Sequence, residues 1–150
     1  MTTEQERTTI EEKSQWIIRE ACGNNPEAAR YLWMIGRITR TLDDVFDADQ
    51  EITREEHLEV LKYLFIELPS NKFYIKHFDT LTSQHFSMYN AWVASNKAEH
   101  GDETDRIYYH VWRDTIHELI PIVALLTQGM EKMESVSLKV RELFKKNLGE

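Results

Sequence analysis

The feature of this sequence that most constrains its fold is a regular succession of helix-start and helix-stop signals. Asn25 precedes Pro26, and proline suits the first position of a helix because its missing N–H needs no partner there. Thr53 and Asn71 are further N-cap residues, and Gly129 is typical of a helix end. The 150 residues include only 5 Gly and 3 Pro, too few for the many turns of an all-β fold. The sequence therefore predicts an all-α fold.

Apolar residues at helical spacing fill the stretches between these signals. They predict six helices, at about residues 9–22, 26–47, 54–68, 72–99, 103–128 and 131–147. The connections are short, and no repeat or linker divides the chain. We therefore expect one domain spanning residues 1–150, folded as an antiparallel helical bundle, with residues 1–8 disordered.

Two of these helices have features that bear on packing. The fourth carries two apolar arcs, so we expect neighbours to cover it on two sides. The first arc consists of Tyr74, Phe78, Leu81, His85, Met88 and Trp92, and the second of Ile75, Phe86, Tyr89 and Val93. The fifth has an apolar stripe of Tyr108, Trp112, Thr115, Leu119, Ile122 and Leu126. It also contains Pro121, which removes the hydrogen bond to the carbonyl of His117 and predicts a kink there.

Composition and charge exclude several classes of function. The formal net charge of −8 disfavours nucleic acid, since phosphate binding needs a basic surface. The only candidates for a local basic patch are four residues near the C-terminus: Lys139, Arg141, Lys145 and Lys146. No apolar run is long enough for a membrane span, and the polar N-terminus does not resemble a signal peptide. A single cysteine, Cys22, fits a cytoplasmic protein.

The first candidate site is an acidic segment of the second helix. Asp44 and Asp47 are three residues apart and share one helix face, with Asp43 beside them. Crowded carboxylates are suited to Mg²⁺ or another divalent metal. The segment resembles the DDxxD motif of trans-isoprenyl diphosphate synthases, over residues 31–49. The resemblance implies that these aspartates would hold the metal ions that bind a diphosphate. The second metal-binding motif of that family is not found in this sequence.

The same helix offers a structural alternative and a ligand-binding one. Arg37 and Arg40 lie on the same face as Asp44 and Asp47, so they can form a solvent-exposed ladder of ion pairs. In an enzyme, either arginine could instead contact phosphate. Trp33 falls on the charged side beside Arg37, where a tryptophan often marks a contact surface.

The second candidate site lies on the fifth helix. His110, Asp114 and His117 recur at spacings of four and three, so they line one stripe and could share a transition metal. The Asp114-x-x-His117 pair is similar to the Glu-x-x-His pair of ferritin-like di-iron bundles, although the partner pair of that family is absent here. The alternative is a polar outer face, since the stripe lies opposite Trp112 and Leu119.

Two functions are consistent with these patterns. The first is a non-enzymatic, oligomeric protein-interaction module. The sixth helix carries a heptad-like seam that we expect to pair with another copy or another protein: Met133, Val136, Val140 and Leu143. The second is a Mg²⁺-dependent enzyme acting on a phosphate or diphosphate substrate through the Asp-rich helix.

Overall fold

The computed structural model describes residues 4–48 and 51–145, and within these two stretches every regular element is helical. The predicted all-α fold is confirmed. The helices are α1 Glu4–Cys22, α2 Pro26–Asp47, α3 Arg54–Lys62, α4 Leu68–Ser70, α5 Lys72–Lys76, α6 Phe78–Ala98, α7 Glu103–Arg113, α8 Leu119–Gln128 and α9 Met130–Leu143. No helix in this part of the chain is long and apolar enough to cross a membrane.

The predicted N-caps form as the sequence indicates. Asn25 Oδ1 accepts a hydrogen bond from the Ala28 N–H at 3.0 Å, and Pro26 follows as the first residue of α2. Thr53 Oγ1 accepts from the Glu56 N–H at 3.1 Å, and Asn71 Oδ1 accepts from the N–H of the third residue of α5 at 2.9 Å. Each cap satisfies a backbone donor that the first turn of a helix leaves without an intrahelical partner.

The chain ends differ from the prediction. The first helix begins at Glu4, so residues 4–8, which we expected to be disordered, are helical. At the other end α9 stops at Leu143 rather than near residue 147. Residues 1–3, 49–50 and 146–150 lie outside the described residues. They include Asp49, the end of the acidic segment, and Lys146, one of the four basic residues near the C-terminus.

Two predicted helices are interrupted in the central part of the chain. The third passes through a π-helical segment, Tyr63–Glu67, and continues as α4 through Pro69 instead of stopping before it. Because Pro69 has no N–H for the carbonyl of Phe65, the regular α-helical bonding pattern cannot run through this point. The fourth predicted helix breaks at His77, whose φ of −112° and ψ of 27° lie outside the α-helical region.

The fifth predicted helix is also divided. A 3-10 segment, Asp114–Glu118, separates α7 from α8. It ends three residues before Pro121, whose missing N–H removes the bond to the His117 carbonyl. The irregularity expected near Pro121 thus takes the form of one tighter turn.

The chain divides into two compact units, which we call the composite unit (residues 1–23 and 79–150) and the central unit (residues 24–78). In the composite unit, α1, α8 and α9 pack on one another around a buried apolar core that includes Ile17, Ala21, Leu119, Val123, Val136 and Val140. The end of α1 is tied to α8, because Thr127 Oγ1 and Gln128 Nε2 both donate to the carbonyl of Ala21, at 2.8 and 3.0 Å.

The central unit is built around the first half of α2. Tyr31 is fully buried, and its ring stacks on Tyr74 of α5 with centroids 5.8 Å apart. An ion pair also connects α2 to the π segment, since Arg30 Nη2 lies 2.7 Å from Glu67 Oε1. The same arginine lies over the ring of Tyr63, so cation–π attraction adds to the charge–charge contact.

Candidate interaction surface

The most unusual element of the composite unit is α7, which contains no buried residue. Its polar and apolar residues are sharply segregated, and its apolar side is between 36% and 55% exposed. Four side chains form this side, which we call the α7 face: Ile107, Tyr108, Val111 and Trp112. Tyr108 and Trp112 stack on each other with ring centroids 5.2 Å apart. A helix of this kind ordinarily buries its apolar side in the core.

The opposite side of α7 is the one that meets α6. The Arg113 guanidinium lies between two rings, 5.4 Å from the centroid of Trp92 on α6 and 5.2 Å from that of Tyr109. Its Nη1 also donates to Asn96 Oδ1 at 2.8 Å. Tyr109 and Arg113 are one turn apart, and at 3.6 residues per turn the α7 face lies on the far side of the helix from them. Arg113 therefore turns the α7 face away from α6.

The second apolar arc of the predicted fourth helix is also exposed. We expected neighbours on two sides of this helix, but Phe86 and Tyr89 are about two-thirds exposed and Val93 and Ile75 are exposed as well. The prediction was wrong for this arc because the described part of the chain provides no element to cover it. The arc is helical, as its spacing predicts, but it faces outward instead of packing against a neighbouring helix.

The central unit has an apolar surface of its own. Phe65, in the π segment, is 75% exposed, and its neighbours Leu64 and Ile66 are exposed too. A shallow groove runs beside them, lined by Leu64, Leu68, Pro69, Tyr74, Ile75 and Phe78. Large contiguous apolar patches on a protein surface usually mark interaction sites.

The acidic segment predicted as a metal site lies in the last two turns of α2, in the central unit. Asp43, Asp44 and Asp47 are all half-buried, and the apolar residues between and beside them are exposed. Among residues 4–48 and 51–145 no group of three or more His, Cys, Asp or Glu side chains lies close enough to hold a metal ion. A metal at these aspartates stays a prediction.

The arginines of the same helix take different positions. Arg37 Nε donates to Glu59 Oε1 of α3 at 2.9 Å, so one predicted phosphate contact is engaged in tying α2 to α3. Arg40 is exposed, and Trp33 is half-buried. Arg37 thus contributes to the packing of the central unit, and ligand binding by Arg37, Arg40 or Trp33 stays a prediction.

The predicted histidine site lies in the composite unit, a different unit from the aspartates. His110 is on α7, while Asp114 and His117 are in the 3-10 segment. The His117 Nδ1 atom lies 3.9 Å from Asp114 Oδ1, and the imidazole ring stacks on Phe144 with centroids 4.0 Å apart. The stacking on Phe144 places His117 in a packing role between the 3-10 segment and the end of α9.

The heptad-like seam of the last helix, which we expected to contact a partner, packs largely against other helices of the composite unit. Val136 and Val140 are buried where α9 packs against α1 and α8. The expectation is wrong for these two residues, because intrachain neighbours already occupy their side of the helix. The exposed apolar residues of α9 are instead Met130 at its start and Leu138, which is 72% exposed.

The basic residues near the C-terminus form ion pairs within the composite unit. Glu20 Oε2 accepts from Lys132 Nζ at 3.0 Å and from Lys139 Nζ at 3.1 Å. These two contacts hold the pKa of the Glu20 carboxyl below its ordinary value. Arg141 Nη2 lies 2.7 Å from Glu118 Oε1. Two of the four basic residues thus have carboxylate partners on neighbouring helices.

The single cysteine is a core residue. Cys22 is 1% exposed, and burial raises the pKa of its thiol to about 12. A thiol that stays protonated and covered is a poor nucleophile. Burial also lowers the pKa of His85 on α6, which favours its neutral form.

Sequence reasoning missed the α7 face as a surface. Tyr108 and Trp112 belong to the same predicted apolar stripe as Leu119, and of these three only Leu119 is buried. No known protein family, curated protein or solved structure matches this chain. The assignment of function therefore depends on the geometry of the chain itself.

Proposed function

We propose that this chain is a non-enzymatic protein-interaction module that acts by self-association. The observation that carries the proposal is α7, an 11-residue helix with a strongly segregated apolar side and no buried residue. Exposing such a side to water is unfavourable, and covering it in a complex recovers about 25 cal/mol per Å² of apolar surface. A second chain is the kind of partner that can cover a whole helix face.

The distribution of the other exposed residues supports the same function. Large hydrophobic side chains are exposed in both units, including Phe65 of the central unit and Phe86 of the composite unit. Isolated exposed hydrophobic residues are ordinary, whereas clusters along helix faces are typical of interaction surfaces. The module thus has more than one surface for contacts with protein chains.

The net charge and the single cysteine support two further proposals, one on binding partners and one on the cellular compartment. With a formal net charge of −8, we place nucleic acid outside the set of partners. A reducing cytoplasm is the proposed compartment, since the single cysteine has no partner within the chain for a disulfide.

Sedimentation equilibrium of the intact chain, over a wide range of concentrations, tests the proposal. We expect a mass of at least two chains that falls toward that of one chain on dilution. The mass of a single chain at every concentration would overturn self-association.

A further inference from the structure

We propose that the α7 face pairs antiparallel with the α7 face of a second copy, across a two-fold axis that passes between Tyr108 and Val111. This inference rests on the proposed self-association and specifies the surface and the orientation that produce it. The occupant of the α7 face is thus another molecule of this chain, and the interface is the same patch on both copies.

The order of side-chain sizes along α7 favours the antiparallel orientation. The face reads Ile107, Tyr108, then Val111, Trp112, an aliphatic residue followed by an aromatic one in each turn. Antiparallel pairing about its centre sets each aromatic against an aliphatic: Tyr108 meets Val111 of the second copy, and Trp112 meets Ile107. Large residues facing small ones fill an interface without voids. Parallel pairing would instead oppose Tyr108 to Tyr108 and Val111 to Val111, leaving a crowded layer beside an empty one.

The charges of α7 favour the same orientation. Asp102 caps the helix, and Glu103 and Asp105 lie in its first turn, whereas His110 and Arg113 lie in its last turn. In a parallel pair the acidic first turns of both copies would lie side by side and repel each other. Antiparallel pairing separates the acidic ends and also opposes the two helix dipoles.

The α7 face supplies a little under half of the area that a dimer needs. Its four side chains are 36–55% exposed. Since aromatic side chains offer about 150–250 Å² each and aliphatic ones somewhat less, the four expose roughly 350 Å² together. Each partner in an interface of standard size contributes about 800 Å², so polar residues at the rim supply the remainder.

Paired variants distinguish the α7 face from other exposed apolar surfaces. Val111→Asp places a charge at the centre of the face, and Val111 is 55% exposed, so the substitution leaves the fold intact. We expect the dissociation constant of self-association to rise about 100-fold or more. Leu138→Asp on α9 is the matched control, because it places the same charge on a side chain that is 72% exposed, and we expect no change. Circular dichroism checks that both variants are folded.

Thiol cross-linking determines the orientation without disturbing the apolar residues. Thr104 lies in the first turn of α7 and Thr115 in the 3-10 segment just after it, at equal distances in sequence from the centre of the α7 face. Since Cys22 is buried, a short bis-maleimide should react only with an introduced cysteine. We expect cross-linked dimers when Thr104→Cys chains are mixed with Thr115→Cys chains, and little product from either chain alone. Efficient cross-linking within each single population would indicate parallel pairing and overturn the inference.

The outcomes separate this inference from the function on which it rests. If the intact chain self-associates and Val111→Asp leaves the dissociation constant unchanged, the α7 pairing is overturned while self-association stands. If Leu138→Asp weakens association and Val111→Asp does not, α9 is the interface. If the intact chain is a monomer throughout, both proposals are overturned.

Discussion

Arg113 and Trp92 form the contact that decides which side of α7 meets α6. The guanidinium carbon of Arg113 lies 5.4 Å from the centroid of the Trp92 ring, and the same side chain donates to Asn96. A single polar side chain thus anchors one side of an amphipathic helix, and the apolar side is left facing outward. This arrangement is the reverse of ordinary core packing, in which the apolar side would be the anchored one.

We expect Arg113→Ala to lower the free energy of unfolding by about 1–3 kcal/mol, because it removes both cation–π contacts and the hydrogen bond to Asn96. Arg113→Lys should recover only part of this loss, since an ammonium group lacks the planar fork of donors. Urea unfolding measures both values. Arg106→Ala, on an exposed residue of the same helix, is the control and should change stability by less than about 0.5 kcal/mol. Equal effects at both arginines would contradict the anchoring role.

Two glycines provide a pair of opposite predictions. Gly23 ends α1 with a φ of +55°, and an added Cβ would lie 3.1 Å from Gln128 Oε1. Gly23→Ala should therefore destabilise the fold by about 1 kcal/mol. Gly36 lies inside α2, and a Cβ there would meet nothing within 4 Å. Gly36→Ala should raise stability by about 0.5–1 kcal/mol, because alanine loses less backbone entropy in a helix. The melting temperatures of the two variants should shift in opposite directions. Shifts in the same direction would contradict these predictions.

Glu20 gives a prediction on pH dependence. Its hydrogen bonds with Lys132 and Lys139 lower its pKa in the folded chain below the ordinary value of 4.5. The folded state therefore binds this proton less readily than the unfolded state, and its stabilising effect is complete above that value. The effect is lost as pH falls through the lowered pKa. Glu20→Gln should thus cost about 0.5–1 kcal/mol at pH 7 and progressively less below pH 4.5.

Urea unfolding at a series of pH values measures this difference. Glu12→Gln is the control, since Glu12 is exposed on the same helix. A cost of Glu20→Gln that stays constant from neutral to acid pH would argue against the charge contacts as its cause.

The alternative function, a Mg²⁺-dependent enzyme acting on phosphate or diphosphate, makes a distinct prediction. A metal site in the Asp43–Asp47 segment, with Mg²⁺ at 100 times its dissociation constant, would add about 2.7 kcal/mol of stability. A protein-interaction module needs no such site, so we expect no increase in melting temperature with Mg²⁺, Mn²⁺ or Zn²⁺. An increase that disappears in Asp44→Asn would instead favour the enzyme.

The local structure of this chain was readable from its residues. Asn25, Thr53 and Asn71 each start a helix where their side chains predict a cap, because capping depends on residues within one turn. The irregularity before Pro121 was equally local, since it follows from one missing N–H. The π segment Tyr63–Glu67 was not foreseen. Its only local signal is Pro69, and a proline can end a helix as readily as distort it.

The candidate sites were less predictable, because they depend on which side of a helix meets a neighbour. The spacing predicts that Arg37 pairs with the aspartates of its own helix, but Arg37 forms an ion pair with Glu59 of α3. The C-terminal seam was expected to meet another chain, and Val136 and Val140 are instead buried within the composite unit. Spacing identifies an apolar side and does not identify what covers it.

The sequence by itself determined that α7 is an amphipathic helix with an acidic start and an apolar side, because helix formation and polarity depend on nearby residues. Only the tertiary structure decided that this apolar side is exposed. The contact that decides this joins Arg113 to Trp92, which are on two different helices. No pattern within α7 indicates which side of it packs against another helix. Burial is a property of packing between elements, so it emerges only when those elements are assembled.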